Sequence, residues 1–404
     1  MAIARGTNIV TDGLVYGYDS GYGVADKHTS TRFYQGEPTT NLKSNAQTSG
    51  MLSGMQGITI THVGEEDGYQ KYSMNGTFNG NTYPYIMNLG SGVSFTGGVK
   101  YSTQAKIKTN VASKFNYFGT TGVNYVNQAM DHGGSKSSTF IAAEGCYLVK
   151  NEGFAYTANQ TQTGYLFTNP INGTTFNSST DFVYIKDFQI EQQDHCTPHT
   201  ATSRSNTGSL IDLKRNVNVD VSNANFDSTG QPDFDGTDDR IVSSTSIDLS
   251  SYTSLTYEGV VKAVGLASHD RWLSATNSGD TGFHNPDLAI GTDGQLRYYF
   301  QNLGVSWIAP SGLTIDTTKF NHLVYTFTNS GVVKIYINGT QQHTATYSGS
   351  HTFPSNSKFM TGMRFDNNGE GVDGSIPIVK VYSKALTADE VTQNYKAYKN
   401  RFNL

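Results

Sequence analysis

The segment GSIPIVKVYSKALTADEV, residues 374–391, decides the fold. Its first half is rich in Ile, Val and Tyr and reads as a half-buried strand. A Ser-Lys turn follows, and the period then changes. In LTADEVTQNYKAYKNRF (386–402) Thr387 and Glu390 have capping-box spacing, while Leu386 and Val391 stand where a hydrophobic staple fixes a helix start. Val391, Tyr395, Tyr398 and Phe402 recur at helical spacing as one apolar stripe. The prediction is a helix laid on a sheet, a structural cap without chemistry of its own.

Upstream, LTYEGVV (255–261), LRYYF (296–300), HLVYTF (322–327) and VVKIYIN (332–338) repeat the strand pattern. Turn signals separate them: GTDGQ (291–295), TNSG (328–331) and NGTQ (338–341). The pattern is that of an antiparallel sandwich. Composition agrees. The 404 residues include 43 Gly, 25 Tyr and 21 Phe but 2 Trp, and 15% are charged against a usual ~25%. Of the 33 acidic residues 24 are Asp, a turn and cap former, rather than the helix-favouring Glu.

The same arithmetic excludes function classes. With 28 basic against 33 acidic residues, a net charge of -5 and no Lys/Arg run, the footprint of general nucleic-acid binding is missing. No apolar run approaches the ~20 residues of a membrane-spanning helix, and MAIARGTNIVTDG at the start lacks a secretory h-region. The expected partners therefore include neither nucleic acid nor membrane, and the chain is expected to be made in the cytosol or exported by something other than a standard signal peptide. Cys146 and Cys196 permit at most one bridge and form no metal framework; two reduced thiols are the simpler reading.

The order FDGTDDRI (234–241), a GTDGQLRYY hairpin, a T-x-F-N-H-L-V-Y strand (318–325), KIYING (334–339) and the closing 374–391 segment resembles the laminin-G-like/concanavalin A-like lectin jelly roll. That resemblance implies a sandwich that hosts lectins, hydrolases and structural modules alike. In the N-terminal half, YSTQAKIK (101–108) and DFVYIKDFQIE (181–191) are strand-like, and the latter with its CTPHTATSRS exit (196–205) resembles carbohydrate-binding-module jelly rolls. In the lectin-like family a GLVYGYDS-like segment begins the sandwich and soon reaches a D-L turn. Here GLVYGYDSG (13–21) and LIDLKRN (210–216) are far apart. The expectation is an all-β chain of two antiparallel jelly-roll sandwiches and one short C-terminal helix. Residues 1–36 plus 204–404 form the lectin-like sandwich, and 37–203 an inserted module. Residues 13–19 should then pair with the C-terminal sheet.

Chemistry-bearing motifs are sparse. No E-x-D-x-x-E string places glycosidase carboxylates on one strand; Glu370 and Asp373 lie in a Gly-rich loop, and Glu65, Glu66 and Asp67 read as turn surface. No G-x-S-x-G elbow or H-E-x-x-H is present, and His322 reads as a structural strand residue. Catalytic residues are not expected. Two Asp-rich segments suit hard Ca²⁺: Asp233, Asp235, Asp238 and Asp239, and Asp366, Asn367, Asn368, Glu370 and Asp373. Tight-turn chemistry explains them equally. For glycans, which need aromatic faces and polar partners for hydroxyls, the candidates are Asp270, Arg271, Trp272, Asn285, Asp287, Arg364 and Asp366 on the loops of one rim. Trp272 has a second reading as core against Leu273, and Arg271 one as an ion pair with Asp270.

Tandem lectin-like modules with low charge and abundant Gly, Thr, Tyr and Asn are similar to tailed-phage virion surface proteins: head fibres, capsid decorations and tail-fibre adhesins. The resemblance implies a virion-surface location after synthesis in the host cytoplasm, other virion proteins as partners, host-surface glycans as ligands, and often a homotrimer. No heptad or collagen-like period marks a trimerising stalk. Competing classes are a structural component without a ligand, and a secreted carbohydrate-binding protein or polysaccharide hydrolase. The first dozen residues are either an attachment arm or the lead-in to GLVYGYD.

Overall fold

The computed structural model describes residues 8–21, 34–42, 57–80, 92–118, 133–162, 169–227, 229–264, 266–276, 286–300, 307–365 and 370–404. The chain divides into two compact units, Met1–Pro38 with Ser205–Leu404, and Thr39–Arg204.

In the discontinuous unit the strand-like runs form two antiparallel sheets. One has eight strands. Its order is Asn225–Phe226, Pro232–Asp235, Asp373–Tyr382, Ser254–Val264, Asn321–Thr328, Val332–Ile337 and Thr340–Thr346, with Leu14–Asp19 also on Asp373–Tyr382. The other has six: Val219–Ser222, Arg240–Ser243, Lys358–Thr361, Asp270–Thr276, Asp287–Ile290 and Leu296–Tyr299. Leu14 pairs with Tyr382, Gly17 with Lys380 and Asp19 with Ile378. The backbone N–H of Leu213 donates to the Gly17 carbonyl at 2.8 Å, so GLVYGYD and the LIDLK turn meet across the sequence that separates them.

Alternation sends one side of each strand inward, and the two inner faces share one aromatic core. Trp272 and Tyr298 of the six-stranded sheet lie 5.9 and 6.3 Å, ring to ring, from Tyr325 of the other, and Phe300 stacks on Phe327 at 4.4 Å. Trp272 is fully buried. It crosses the core toward Gly259, where a Cβ would stand 2.5 Å from the indole. A glycine is therefore required opposite the largest side chain in the sandwich.

The C-terminal helix, Ala388–Phe402, starts with the full capping box of Thr387 and Glu390. Its apolar contacts are those of the predicted stripe: Val391 joins Leu386, Val10 and Leu14, while Tyr398 and Phe402 join Val260 and Ile378 on the eight-stranded sheet. The stripe alone does not describe the seat. Glu258, fully buried, shares a 2.7 Å hydrogen bond with His322 Nε2 and accepts from the Tyr382 hydroxyl at 2.8 Å and Asn394 Nδ2 at 2.9 Å. Asn394 in turn accepts from the Val10 N–H at 2.7 Å. Burial alone would raise the Glu258 pKa; the His322 hydrogen bond, the Lys380 charge and the Tyr382 hydroxyl hold it below the usual carboxylate value. Arg401 pairs with buried Asp19 at 2.5 Å, and Lys380 meets the Tyr398 hydroxyl. Buried charge is tolerable only with such partners. Residues 8–12 are thus tied to the helix as lead-in to the first strand.

The second unit, Thr39–Arg204, has a seven-stranded antiparallel sheet ordered Thr175–Phe176, Tyr69–Thr77, Phe182–Glu191, Lys100–Thr109, Cys146–Ala155 and Ser135–Ile141, with Ile58–Glu66 also on Tyr69–Thr77. Its core includes Phe95, which lies 4.8 Å from Tyr101 edge to face. Thr39–Thr40 pairs with Ser203–Arg204, so chain entrance and exit are adjacent. Adjacent ends are what make insertion into another fold tolerable. Both cysteines are free, and burial first, then the Glu152 charge, pushes the Cys196 thiol up and away from thiolate reactivity.

Gly259→Ala should cost about 1–3 kcal/mol by overpacking, measured by urea unfolding, and the loss should shrink markedly in a Trp272→Phe background. An equal loss in both backgrounds would show that the indole is not the reason for the glycine.

Candidate functional site

The site begins with a register irregularity in DRWLSAT (270–276). Arg271 pairs with Ala289 and Leu273 with Leu288, so Trp272 is the extra residue of a bulge. Trp272 and Leu273 both enter the core, while Arg271 and Ser274 fall on the opposite, outer face. Ser274 stands across from Asp287 and Met360, and Asp287 across from Tyr299. A single bulge thus lines Arg271, Ser274, Asp287 and Tyr299 along one face of the six-stranded sheet.

Arg271 is 3% exposed and Asp287 1%. The Arg271 Nε donates to Asp287 Oδ2 at 3.2 Å, and its Nη1 to the His269 carbonyl at 3.0 Å and to the Glu370 carboxylate. Arg364 Nη1 reaches the same Glu370 at 3.1 Å. Two arginines and two acids therefore interlock where desolvation makes each partner indispensable. The Arg271 guanidinium lies 5.1 Å from the centre of the Trp307 ring, which also meets His269 at 4.8 Å and Tyr299 at 5.8 Å. Trp307 and Tyr299 are part-exposed. On the same face the hydroxyls of Ser274 and Thr276 are buried and lack a hydrogen-bond partner among the described residues. Buried polar atoms of this kind normally have one. Burial, and then Arg297, push the His269 pKa down, leaving a neutral imidazole at pH 7.

Of the sequence candidates, Arg271, Asp287 and Arg364 converge here. Asn285 and Asp366 lie outside the described residues. Two candidates are corrected. Trp272 is 0% exposed and offers no face to a sugar; the core reading holds for it. Asp270 lies opposite Ile290 of the core in register, because neighbouring strand residues face opposite ways. Arg271 accordingly pairs with Asp287 and Glu370 instead of Asp270. Trp307, Tyr299 and His269 were not among the candidates. The alternation of LRYYF carries a signal for Tyr299, whereas Trp307 stands outside any strand-like run. Glu370, weighed as a carboxylate in a Gly-rich loop, is held between Arg271 and Arg364.

At the turn after Pro232–Asp235, one carboxylate oxygen each from Asp235, Asp238 and Asp239 lie within 4.8 Å of one another. The turn chemistry is also there: Asp239 Oδ2 accepts from the Asp235 N–H at 2.8 Å, Asp235 Oδ1 from the Thr237 N–H at 2.7 Å, and Asp238 from Asn223 Nδ2 at 2.7 Å. Asp239 is buried and pushed up to about 6, by burial first and then by the charges of Asp235, Asp238 and Asp233. Three carboxylates fit part of the six to eight oxygens that Ca²⁺ takes, with carbonyls and water as the remainder.

Residues 235–392 match the family model described as the concanavalin A-like lectin/glucanases superfamily, and the discontinuous unit has that lectin fold. No curated protein matches the chain. Among solved structures it is similar to domain 4 of AbnA, a GH43 extracellular arabinanase from Geobacillus stearothermophilus in complex with arabinotriose, at 20% identity over 47% of this chain and 93% of that one, TM-score 0.35. It is also similar to a heptameric SAP-like pentraxin from Limulus polyphemus, at 18% identity over 40% and 78% of the two chains, TM-score 0.33. A Trypanosoma rangeli sialidase in complex with 2,3-difluorosialic acid matches at 16% identity over 48% of this chain and 31% of that one, TM-score 0.39.

Two predictions follow from the carboxylates. Burial pushes Asp270 from 3.8 up to about 6. Between those values the folded chain holds a proton that the unfolded chain releases, so stability falls as pH rises through the window and stays lower above it. Asp270→Asn should therefore gain about 1 kcal/mol at pH 7.5, the full ~1.4 kcal/mol per pKa unit being reduced by nearby solvent, and nothing at pH 4. Denaturant curves at the two pH values test this; an equal effect at both contradicts it. Millimolar Ca²⁺ should raise the melting temperature, the stabilisation being about 1.4 kcal/mol at ten times Kd, and Asp239→Asn should abolish the rise. An unchanged melting temperature leaves turn chemistry as the whole account.

Proposed function

We propose that the chain is a non-enzymatic surface protein of a tailed-phage virion, a decoration or fibre component whose lectin-like unit adheres to glycans on the host or on other surfaces. The observation that carries the glycan part is the outer face described above. Trp307 and Tyr299 offer part-exposed apolar rings beside the ion-paired Arg271 and Asp287, an apolar face with polar groups next to it, which is the combination a pyranose needs. The lectin fold of this unit supports the same reading. The second unit, in this reading, is a carbohydrate-binding-module-like insert that extends the adhesive surface.

The virion part is supported by composition and by likeness in sequence. With 15% charged residues, the surface suits contact with uncharged coat proteins. Many copies on one particle, arranged as trimers or as other assemblies with virion proteins, would turn weak single-site contacts into stable adhesion through effective concentration. A non-enzymatic role is supported by the arginines that clamp Glu370. Both ion pairs tie that carboxylate to the chain's own side chains.

Mass spectrometry of purified particles from the encoding phage should find the chain in stoichiometric amounts, and the pure protein should release no reducing sugar from bacterial or algal polysaccharides. Its absence from particles, or turnover of a polysaccharide, would replace this reading with a secreted binding protein or a hydrolase.

A further inference from the structure

We infer that the sugar held beside Trp307 is anionic and that Arg297 is its counter-ion; the inference rests on the glycan reading above and names the ligand class. Arg297 lies opposite Ala289 in register and two residues from Tyr299 on the same strand, so it shares the outer face with Arg271 and Asp287. Its Nη1 donates to the Ser268 carbonyl at 2.7 Å and stands 3.4 Å from His269 Nε2. These contacts hold the head group at the edge of the aromatic cluster, since His269 is 4.8 Å from Trp307.

What distinguishes Arg297 is what it lacks. Arg271 has Asp287 and Glu370, and Arg364 has Glu370. Among the described residues no carboxylate lies within ion-pair distance of Arg297, and its Nε is buried without an acceptor. Among the described residues, the ion pairs around Arg271 and Arg364 do not extend to Arg297. Burial first, and then the Arg297 charge, lower the His269 pKa, so the ring beside Arg297 adds no positive charge at pH 7. A guanidinium held in place, part-buried and without a carboxylate partner among the described residues binds a planar or tetrahedral oxyanion through charge-assisted, forked hydrogen bonds, and binds a neutral hydroxyl far less well. Trp307 then takes the apolar face of the same ring. Uronates, sialates and sulfated sugars share this chemistry.

The test is a glycan array carrying uronate, sialate and sulfated members beside their carboxyl-reduced or desulfated counterparts, probed with the full chain. Acidic members should bind about tenfold or more above their neutral counterparts, with the preferred group identifying which oxyanion is read. Arg297→Gln should erase that preference, Arg297→Lys should retain part of it, and Trp307→Ala should weaken acidic and neutral members together. Circular dichroism and melting curves confirm that each variant is folded. Equal binding of charged and neutral counterparts, or an unchanged preference in both Arg297 variants, overturns the inference and leaves the glycan reading intact. An array on which the full chain binds nothing overturns both.

Discussion

The lectin-like unit depends on one act of insertion, the burial of the Trp272 indole across the sandwich against Gly259 and Tyr325. A large aromatic side chain in that position contributes several kcal/mol of apolar burial, and the strand accommodates it by bulging. The bulge has a second consequence on the far side of the sheet. With one residue taken out of the pairing, Arg271 and Ser274 fall on the same outer face, and Arg271 finds Asp287 one strand away. Core and site are therefore one construction.

The opposite side of the sandwich is closed by different means. The C-terminal helix brings apolar residues, yet its centre rests on Glu258, His322, Tyr382 and Asn394, all inaccessible to water. Such a string adds little net stability compared with apolar packing of equal volume, but removing one member leaves a buried charge or dipole exposed to nothing. It fixes the register of the helix and draws in Val10, so the start and end of the chain share one hydrogen-bond network. That arrangement explains how a sandwich interrupted after residue 38 still closes: its first strand is held at both the sheet and the helix.

Local signals were legible in the sequence because local physics produces them. Alternation in LTYEGVV and HLVYTF and the capping box at Thr387 act within a few residues, and the elements appear where these signals place them. The site was only partly legible. Arg271 and Asp287 stood out by residue type, but the partner of Arg271 was read as its neighbour Asp270, although adjacent strand residues face apart. Its actual partner Glu370 lies 99 positions away. Alternation also cannot reveal a bulge, so Trp272 seemed a candidate for solvent. Trp307, which is part-exposed, stands outside any strand-like run and carries no periodic signal.

The central claim is that the outer face around Trp307 and Arg271 is where this chain meets a glycan. A crystal structure of the full chain soaked with an array-binding oligosaccharide tests it most directly. A sugar ring should stack on Trp307 with its polar substituents near Arg297 and the Arg271 cluster. A sugar bound elsewhere, with this face bare, would contradict it.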